Sequence, residues 1–143
     1  MSYRNDILTV ITSEIQEKIK VSRDYNSDIA DCKRGIYTFQ DCSIFPAVFF
    51  WNYRDEALGA FANQEERLLH IYIYGYVKIN NLEDNDDIHN LASDIEYFLY
   101  NEFSLTGDTE VGDFIVYESG DNASGAMFEG EFTVKYYKDT LTH

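Results

Sequence analysis

The sequence predicts an α+β domain in which two helices pack on one face of a mainly antiparallel sheet, in the order α-β-β-β-α-β-β. Residues 67–79 alternate aliphatic and tyrosine side chains with a period of two, which indicates a strand. Residues 3–22 and 86–103 carry apolar side chains at helical spacing, and they lie far apart in the chain. A length of 143 residues fits one domain, so we expect residues 1–143 to form a single unit.

The first predicted helix spans residues 3–22. Isoleucines recur every four positions from Ile7 to Ile19, which places them on one helical face. Lysines in the last turns suit the negative end of the helix dipole. The polar, mixed segment that follows, residues 23–34, predicts a loop.

The next segment predicts two strands and a loop. Residues 36–39 favour a short strand. Residues 44–53 are dense in β-formers, and Pro46 belongs at the beginning of that strand because it has no N–H to donate. Residues 54–66 combine Gly59 with small and charged residues, and this composition favours a loop or a short helical turn.

The strand over residues 67–79 has two different faces. One face is aliphatic and should pack on helices; it carries Leu69, Ile71, Ile73, Val77 and Ile79. The other face carries His70, Tyr72, Tyr74, Tyr76 and Lys78. Tyrosine joins an apolar ring to a polar hydroxyl, so this second face suits either another layer of the same chain or a contact between subunits.

The second helix is predicted over residues 86–103, where apolar side chains recur at 3.6-residue spacing. Residues 104–110 form a loop. Residues 111–118 and 126–138 read as two strands joined by a glycine-containing turn, which predicts an antiparallel pair. In the last strand Phe128 and Phe132 alternate with acidic residues.

Charge excludes several classes of function. The formal net charge is −15, and residues 1–54 are neutral because seven basic and seven acidic residues cancel. Residues 55–143 hold four basic and 19 acidic residues, so the whole excess lies there. Such a surface repels nucleic-acid phosphates and anionic lipids, which argues against sequence-specific DNA binding and membrane binding. Solubility, a basic partner, or a surface that DNA passes without adhering all remain open.

Motifs for catalysis or metal binding are missing from the sequence. There is no P-loop, G-x-S-x-G or G-x-G-x-x-G pattern, and His70, His89 and His143 have no metal-ligand spacing. Cys32 and Cys42 belong to no C-x-x-C motif, and we expect free thiols. We therefore expect no enzyme activity, no cofactor and no metal.

Two clusters are candidates for interactions. In the aromatic run, Phe49 and Trp51 should point one way and Phe50 and Tyr53 the other, either as core or as a subunit interface. The candidate interface comprises Phe49, Phe50, Trp51, Tyr72, Tyr74 and Tyr76. The acidic candidates for an exposed face or a ring lumen are Glu83, Asp84, Asp86, Asp87, Asp108 and Glu110. The run at 83–87 lacks the glycine and spacing of an EF-hand, so a solvated helix start is the plainer interpretation.

The order of these segments resembles the tail terminator (tail completion) proteins of long-tailed bacteriophages. The segments that carry the resemblance are RNDILTVITSEIQEKI, DCSIFPAVFFWN, ERLLHIYIYGYVK, DDIHNLASDIEYFLYNEF and GDFIVYESGDNASGAMFEGEFTVKYY. The resemblance implies a small α+β subunit of a hexameric ring that caps the tail tube and lets DNA pass. It also implies contacts with the tail tube protein, the neck or head-completion protein and, in a contractile tail, the sheath protein.

Two other interpretations remain open. An acidic protein of this size can mimic DNA and inhibit a nucleic-acid-binding protein, as a monomer or dimer whose carboxylates are spaced like phosphates. Another head–tail junction protein, such as a stopper or adaptor, has similar sequence properties. The oligomeric state and assembly on tail tubes distinguish the ring from the mimic.

Overall fold

The structure, a computed structural model, describes residues 3–81, 85–120 and 124–139. Its two α-helices are α1 (Tyr3–Lys18) and α2 (Asp86–Tyr97). The five strands are β1 (Asp31–Arg34), β2 (Ala47–Phe61), β3 (Gln64–Lys78), β4 (Thr109–Tyr117) and β5 (Gly125–Asp139). Short 3-10 turns lie at Val21–Arg23, Phe39–Asp41 and Thr106–Asp108, and a π-helical turn at Phe98–Glu102 follows α2. The predicted order of helices and strands is confirmed.

All five strands belong to one sheet in the order β1-β2-β3-β5-β4. The strands β1 and β2 run parallel, whereas the other three neighbouring pairs are antiparallel, including the predicted pair of β4 and β5. The central strand β3 pairs with β5 from Gln64 to Lys78 and with β2 from Gln64 to Tyr76. The α+β class with a mainly antiparallel sheet is therefore confirmed.

Both helices cover the same face of the sheet, as the sequence predicts. The isoleucine face of α1 and the apolar face of α2 join the aliphatic face of β3 in one buried cluster. Phenylalanines complete this core from neighbouring strands, with Phe50 on β2 and both Phe128 and Phe132 on β5. Each of these three rings is at most 1% exposed. Burying this apolar surface is the main favourable contribution to folding.

The first strand forms at residues 31–34 and not at 36–39. The prediction of a loop over 23–34 is wrong for its last four residues. The sequence of β1, DCKR, is polar and too short to show a period. Its position depends on tertiary contacts, because Cys32 pairs with Val48 in the sheet and the N–H of Ala30 donates to Pro46 at 2.9 Å.

Residues 54–66 form a β-hairpin and not the predicted loop. The strand β2 continues to Phe61, Ala62 and Asn63 form the turn, and β3 begins at Gln64. Ala62 adopts a positive φ of 51°, which a tight turn requires. The small and charged residues of this part of β2 show no alternating pattern, so the sequence does not predict a strand there. Backbone hydrogen bonds to β3 hold it in the extended conformation. Two register shifts, at Asn52/Arg54 and Ala57/Gly59, further break the period.

The helices are shorter than their periodic segments. The helix predicted over residues 3–22 ends at Lys18. The next residue, Ile19, lies outside the helix but is still fully buried. The segment predicted over 86–103 changes from α to π geometry at Phe98, and the N–H of Phe103 donates to the carbonyl of Phe98 at 2.8 Å. The two rings lie 5.5 Å apart, so the wider turn keeps both in the core.

A charged cluster around Asp55 lies at the end of the core where β2 passes α1. The Arg67 Nε donates to the Asp55 carboxylate at 2.8 Å, and the Tyr136 hydroxyl donates to it at 2.6 Å. The Arg4 Nε also lies 2.8 Å from this carboxylate. Burial alone would raise the pKa of Asp55, but the hydrogen bonds from Tyr136 and Arg67 and the two nearby positive charges hold that pKa below its usual value.

We predict that Ile71→Asp and Ile73→Asp each destabilise the domain by about 4 kcal/mol or more. Both side chains are fully buried on the face that packs against the helices, so each variant places an unpaired charge in the core. Chemical denaturation measures the loss. Ile115→Asp is the matched control, because Ile115 is 48% exposed and its variant should unfold near the wild-type midpoint. Wild-type stability of both core variants would contradict the assignment of faces.

We also predict that the stabilisation from Asp55 is lost in acid. Because the pKa is lowered in the folded state, the stabilisation is complete above the unfolded-state pKa and disappears as the pH falls through the folded-state pKa. The difference in unfolding free energy between wild type and Asp55→Asn should therefore shrink as the pH falls from about 5 toward 1. Glu17→Gln, which removes an exposed carboxylate, should show no comparable trend. A constant difference across this range would contradict the prediction.

Candidate functional site

The face of the sheet opposite the helices is called the outer face, and one end of it is covered by a segment of the same chain. The connector (residues 35–46) leaves β1, crosses the outer face and enters β2. The Tyr37 ring lies 4.7 Å from the Phe49 ring, and the Phe39 ring lies 6.0 Å from the Tyr76 ring. Phe39 also packs so closely on Gly125 that any side chain there would collide with its ring. The connector therefore forms a second layer at one end of the sheet.

Tyrosine hydroxyls of β3 attach the connector to the sheet. Tyr74 donates to the carbonyl of Gly35 at 2.9 Å and accepts from the N–H of Tyr37 at 2.6 Å. Tyr76 donates to the carbonyl of Tyr37 at 2.9 Å. The predicted tyrosine face thus serves as an internal layer at this end, because it satisfies backbone groups that the connector would otherwise bury unpaired.

The six candidate interface residues divide into two groups. Phe49, Phe50 and Tyr74 are 1%, 0% and 3% exposed, so they have no surface to offer another subunit. Phe50 lies in the core under the helices, and Phe49 and Tyr74 lie under the connector. The hypothesis of an aromatic interface is therefore confined to the half-buried members of the set, which are Trp51, Tyr72 and Tyr76.

Tyr53 lies on the same face as Trp51, which corrects the predicted directions. Their ring centroids are 5.9 Å apart, and the ring of His70 is 5.8 Å from that of Tyr53. Because strand side chains alternate with a period of two, Tyr53, two residues after Trp51, is expected on the same face as Trp51. The register shift at Asn52/Arg54 then leaves Tyr53 outside the pairing, so its ring stays on the outer face.

The uncovered end of the outer face combines aromatic rings with carboxylates, and we call it the aromatic–acidic surface. It comprises Trp51, Tyr53, Tyr72, Ile115, Tyr117, Glu129 and Glu131. Tyr117 donates to the carboxylate of Glu129 at 2.7 Å, and Tyr72 donates to its other oxygen. Tyr53 donates to Glu131 at 2.7 Å. Three phenols thus orient two carboxylates on a rigid sheet.

These phenols stay protonated over the physiological range. Burial and the hydrogen bond to Glu131 raise the pKa of Tyr53 to about 12. Burial and the Glu129 carboxylate also raise the pKa of Tyr72. Each hydroxyl therefore remains a donor to its carboxylate.

Sequence reasoning missed most of this surface, although one signal pointed to it. Glu129 and Glu131 alternate with the buried phenylalanines of β5, which places them on the outer face. Only the register of β3 against β5 brings them beside tyrosines, because Tyr72 pairs with Glu131 and Tyr74 with Glu129. That register cannot be read from either strand alone.

The acidic candidates do not form one cluster. Asp86 and Asp87 are exposed at the start of α2, on the helical side of the sheet. Asp108 is exposed in a 3-10 turn, and Glu110 is exposed on β4 opposite Thr133, on the outer face. The other two candidates, Glu83 and Asp84, lie outside the described residues.

The other polar candidates have ordinary partners. His70 contacts Glu56 at 3.0 Å, and His89 contacts Glu118 at 2.7 Å; His143 lies outside the described residues. Both cysteines are free, as expected, and burial raises the pKa of the Cys32 thiol to about 12. Within residues 3–81, 85–120 and 124–139, no three His, Cys, Asp or Glu side chains are placed to hold one metal ion. The absence of a metal requirement stays a prediction.

Comparisons with known proteins add no family. No protein-family model matches this chain, and no curated protein is similar to it. None of the helices in the described part of the chain has the length and apolarity needed to cross a membrane. The resemblance to tail terminators therefore depends on the order and composition of the segments alone.

We predict that Tyr74→Phe loosens the connector. Removing the hydroxyl leaves the N–H of Tyr37 and the carbonyl of Gly35 unpaired, at a cost of about 1–3 kcal/mol. Hydrogen exchange at the Tyr37 amide should accelerate, while exchange in the strands β4 and β5 stays unchanged. Tyr137→Phe is the control, because Tyr137 is exposed on β5. Unchanged exchange at Tyr37 would show that the hydroxyl does not hold the connector.

Proposed function

We propose that this protein is a structural subunit that assembles with copies of itself into a ring at the head end of a phage tail. In this role it caps the tail tube, joins it to the neck and lets DNA pass. The observation that supports assembly is the open edge of β2, which can pair with a strand of a neighbouring subunit; the place at a phage tail comes from the resemblance. The number of subunits, six, comes from the resemblance to tail terminators.

The open edge extends over residues 51–61 of β2. The strand β1 pairs only with residues 47–50, so the rest of β2 has β3 on one side and, within the described parts of the chain, no strand on the other. Leu58 and Phe61 are 46% and 58% exposed on this hairpin. A long exposed edge with apolar side chains is a template for pairing with another chain.

A second free edge lies at the opposite side of the sheet. The strand β4 is the last in the order, and among the described residues it pairs only with β5. Joining the β2 edge of one subunit to the β4 edge of the next is a head-to-tail contact. Such contacts close into a ring when the rotation between subunits permits. The two edges therefore supply the unlike surfaces that a ring subunit requires.

The charge of the chain suits a channel for DNA. The net charge is −15, and a lumen lined with carboxylates repels phosphates, so DNA moves through without binding. The exposed acidic candidates lie on two sides of the sheet, Asp86 and Asp87 with the helices and Glu110 on the outer face, so the lining draws on the side that faces the lumen; Asp108 lies in a turn. In this role the partners are the tail tube protein, the neck or head-completion protein and, in a contractile tail, the sheath protein. The site of action is the tail–neck junction of the virion, and a structural role of this kind requires neither catalysis nor a cofactor.

We predict that assembly strengthens as the salt concentration rises. Acidic subunits repel one another, and salt screens this repulsion over about 8–10 Å at physiological ionic strength. Sedimentation should show a ring-sized species at high salt, or on addition of purified tail tubes, and smaller species at low salt. Leu58→Lys, which places a charge on the open edge, should abolish assembly while the subunit stays folded. Val21→Lys is the control, since Val21 is 54% exposed outside the sheet.

Two outcomes separate the alternative functions, and a third tests the β2 edge as the interface. A wild-type protein that stays monomeric at high salt and ignores tail tubes contradicts the ring and favours an acidic DNA mimic. A ring that binds neck components but not tail tubes favours a stopper or adaptor. Assembly of Leu58→Lys at the wild-type level shows that the β2 edge is not the interface.

A further inference from the structure

We propose that the aromatic–acidic surface is a docking site for an arginine-bearing segment of another protein. This inference does not depend on the ring. It concerns the outer face of the sheet, whereas the proposed assembly uses the sheet edges. It follows from three observations: the surface carries exposed aromatic side chains, hydrogen bonds from phenols orient its carboxylates, and its charge is complementary to guanidinium groups.

The surface is exposed although it carries large apolar groups. Tyr53 is 42% exposed, and Ile115 and Tyr117 are each 48% exposed. The connector covers the adjacent end of the same face, where it bonds Tyr74 and Tyr76. Clustered exposed aromatic side chains on a rigid sheet are typical of protein interaction sites.

The polar groups of the surface select a cation. Each oxygen of Glu129 accepts one phenol hydrogen, and Glu131 accepts one from Tyr53. A carboxylate has about four acceptor positions, so both glutamates can accept further hydrogen bonds. The phenol hydrogens are already used in bonds to these carboxylates. A partner therefore meets acceptor oxygens and electron-rich ring faces. Both attract cations and repel anions.

Arginine fits this arrangement better than lysine. A guanidinium group stacks on aromatic rings and pairs with a carboxylate through two parallel hydrogen bonds. Trp51 lies 5.9 Å from Tyr53 and 6.3 Å from Tyr72, measured between ring centroids, and these two phenols donate to Glu131 and Glu129. Glu129 and Glu131 are two residues apart on one strand, a spacing of about 7 Å. In an extended segment, arginines at alternate positions are separated by the same distance as the two glutamates.

Within residues 3–81, 85–120 and 124–139, no basic side chain forms an ion pair with Glu129 or Glu131. Arg54 pairs with Glu56 at 2.8 Å, and His70 contacts the same glutamate at 3.0 Å. Lys135 pairs with Glu66 at 3.2 Å. These contacts lie toward the hairpin end of β3. The negative charge of Glu129 and Glu131 is therefore available to a partner, and the net charge of the chain steers basic partners toward it.

Trp51 makes the proposal directly testable, because it is the only tryptophan and lies on this surface. The probe is a capped peptide that alternates arginine with serine. We expect a saturable change in Trp51 fluorescence that weakens as salt is added. The double variant Glu129→Gln, Glu131→Gln should bind the peptide about 10-fold more weakly, since it loses both negative charges and one acceptor oxygen of each carboxylate. Glu17→Gln with Asp87→Asn removes two exposed carboxylates elsewhere and should bind as the wild type does.

Several results would overturn the proposal. Equal binding by the double variant and the control pair would mean general electrostatic attraction. An equal response to a peptide that alternates lysine with serine would remove the assignment to arginine. A Trp51 signal that changes with protein concentration alone would identify the surface as a contact between copies of this chain. If the double variant does not fold, Glu131→Gln alone decides the matter, because Glu131 is exposed and its replacement should still weaken binding several-fold.

Discussion

The central strand β3 is the constraint on which the rest of the structure depends, because it must bury two chemically different faces. Its aliphatic side chains require apolar cover, and both helices provide it on one side. Its tyrosines require cover that also offers hydrogen-bond partners, and a helix has few such groups to offer because its backbone is already bonded internally. The irregular connector has free backbone groups and lies over Tyr74 and Tyr76. The layering of the domain follows from this difference.

The tyrosines of the outer face perform two tasks through the same chemistry. At the covered end their hydroxyls bond backbone groups, and the rings become core. At the uncovered end the hydroxyls of Tyr53, Tyr72 and Tyr117 bond glutamates, and the rings remain accessible. A phenol can do both because it joins a large apolar ring to one polar group. The result is an exposed surface whose side chains are held in position by hydrogen bonds within the chain.

Charge and sheet geometry together limit how this protein can associate. A net charge of −15 opposes self-association, so any assembly must draw on directional contacts strong enough to exceed the repulsion. Unpaired strand edges supply backbone hydrogen bonds of this kind, and they lie on opposite sides of the sheet. In the proposed ring, edge pairing uses the backbone and leaves the outer face free. Assembly and partner binding then occupy separate surfaces of the same sheet.

The sequence by itself determined the fold class, the two helices and the two faces of β3, because each depends on a local period that burial imposes. The sequence did not reveal β1 or the hairpin over residues 54–66, since backbone pairing with distant strands holds these polar and small residues in place. It also assigned Phe49 and Tyr74 to a candidate interface, whereas the connector covers both. The aromatic–acidic surface was decided only by tertiary structure, because Tyr72 and Glu129 meet through the register of β3 and β5.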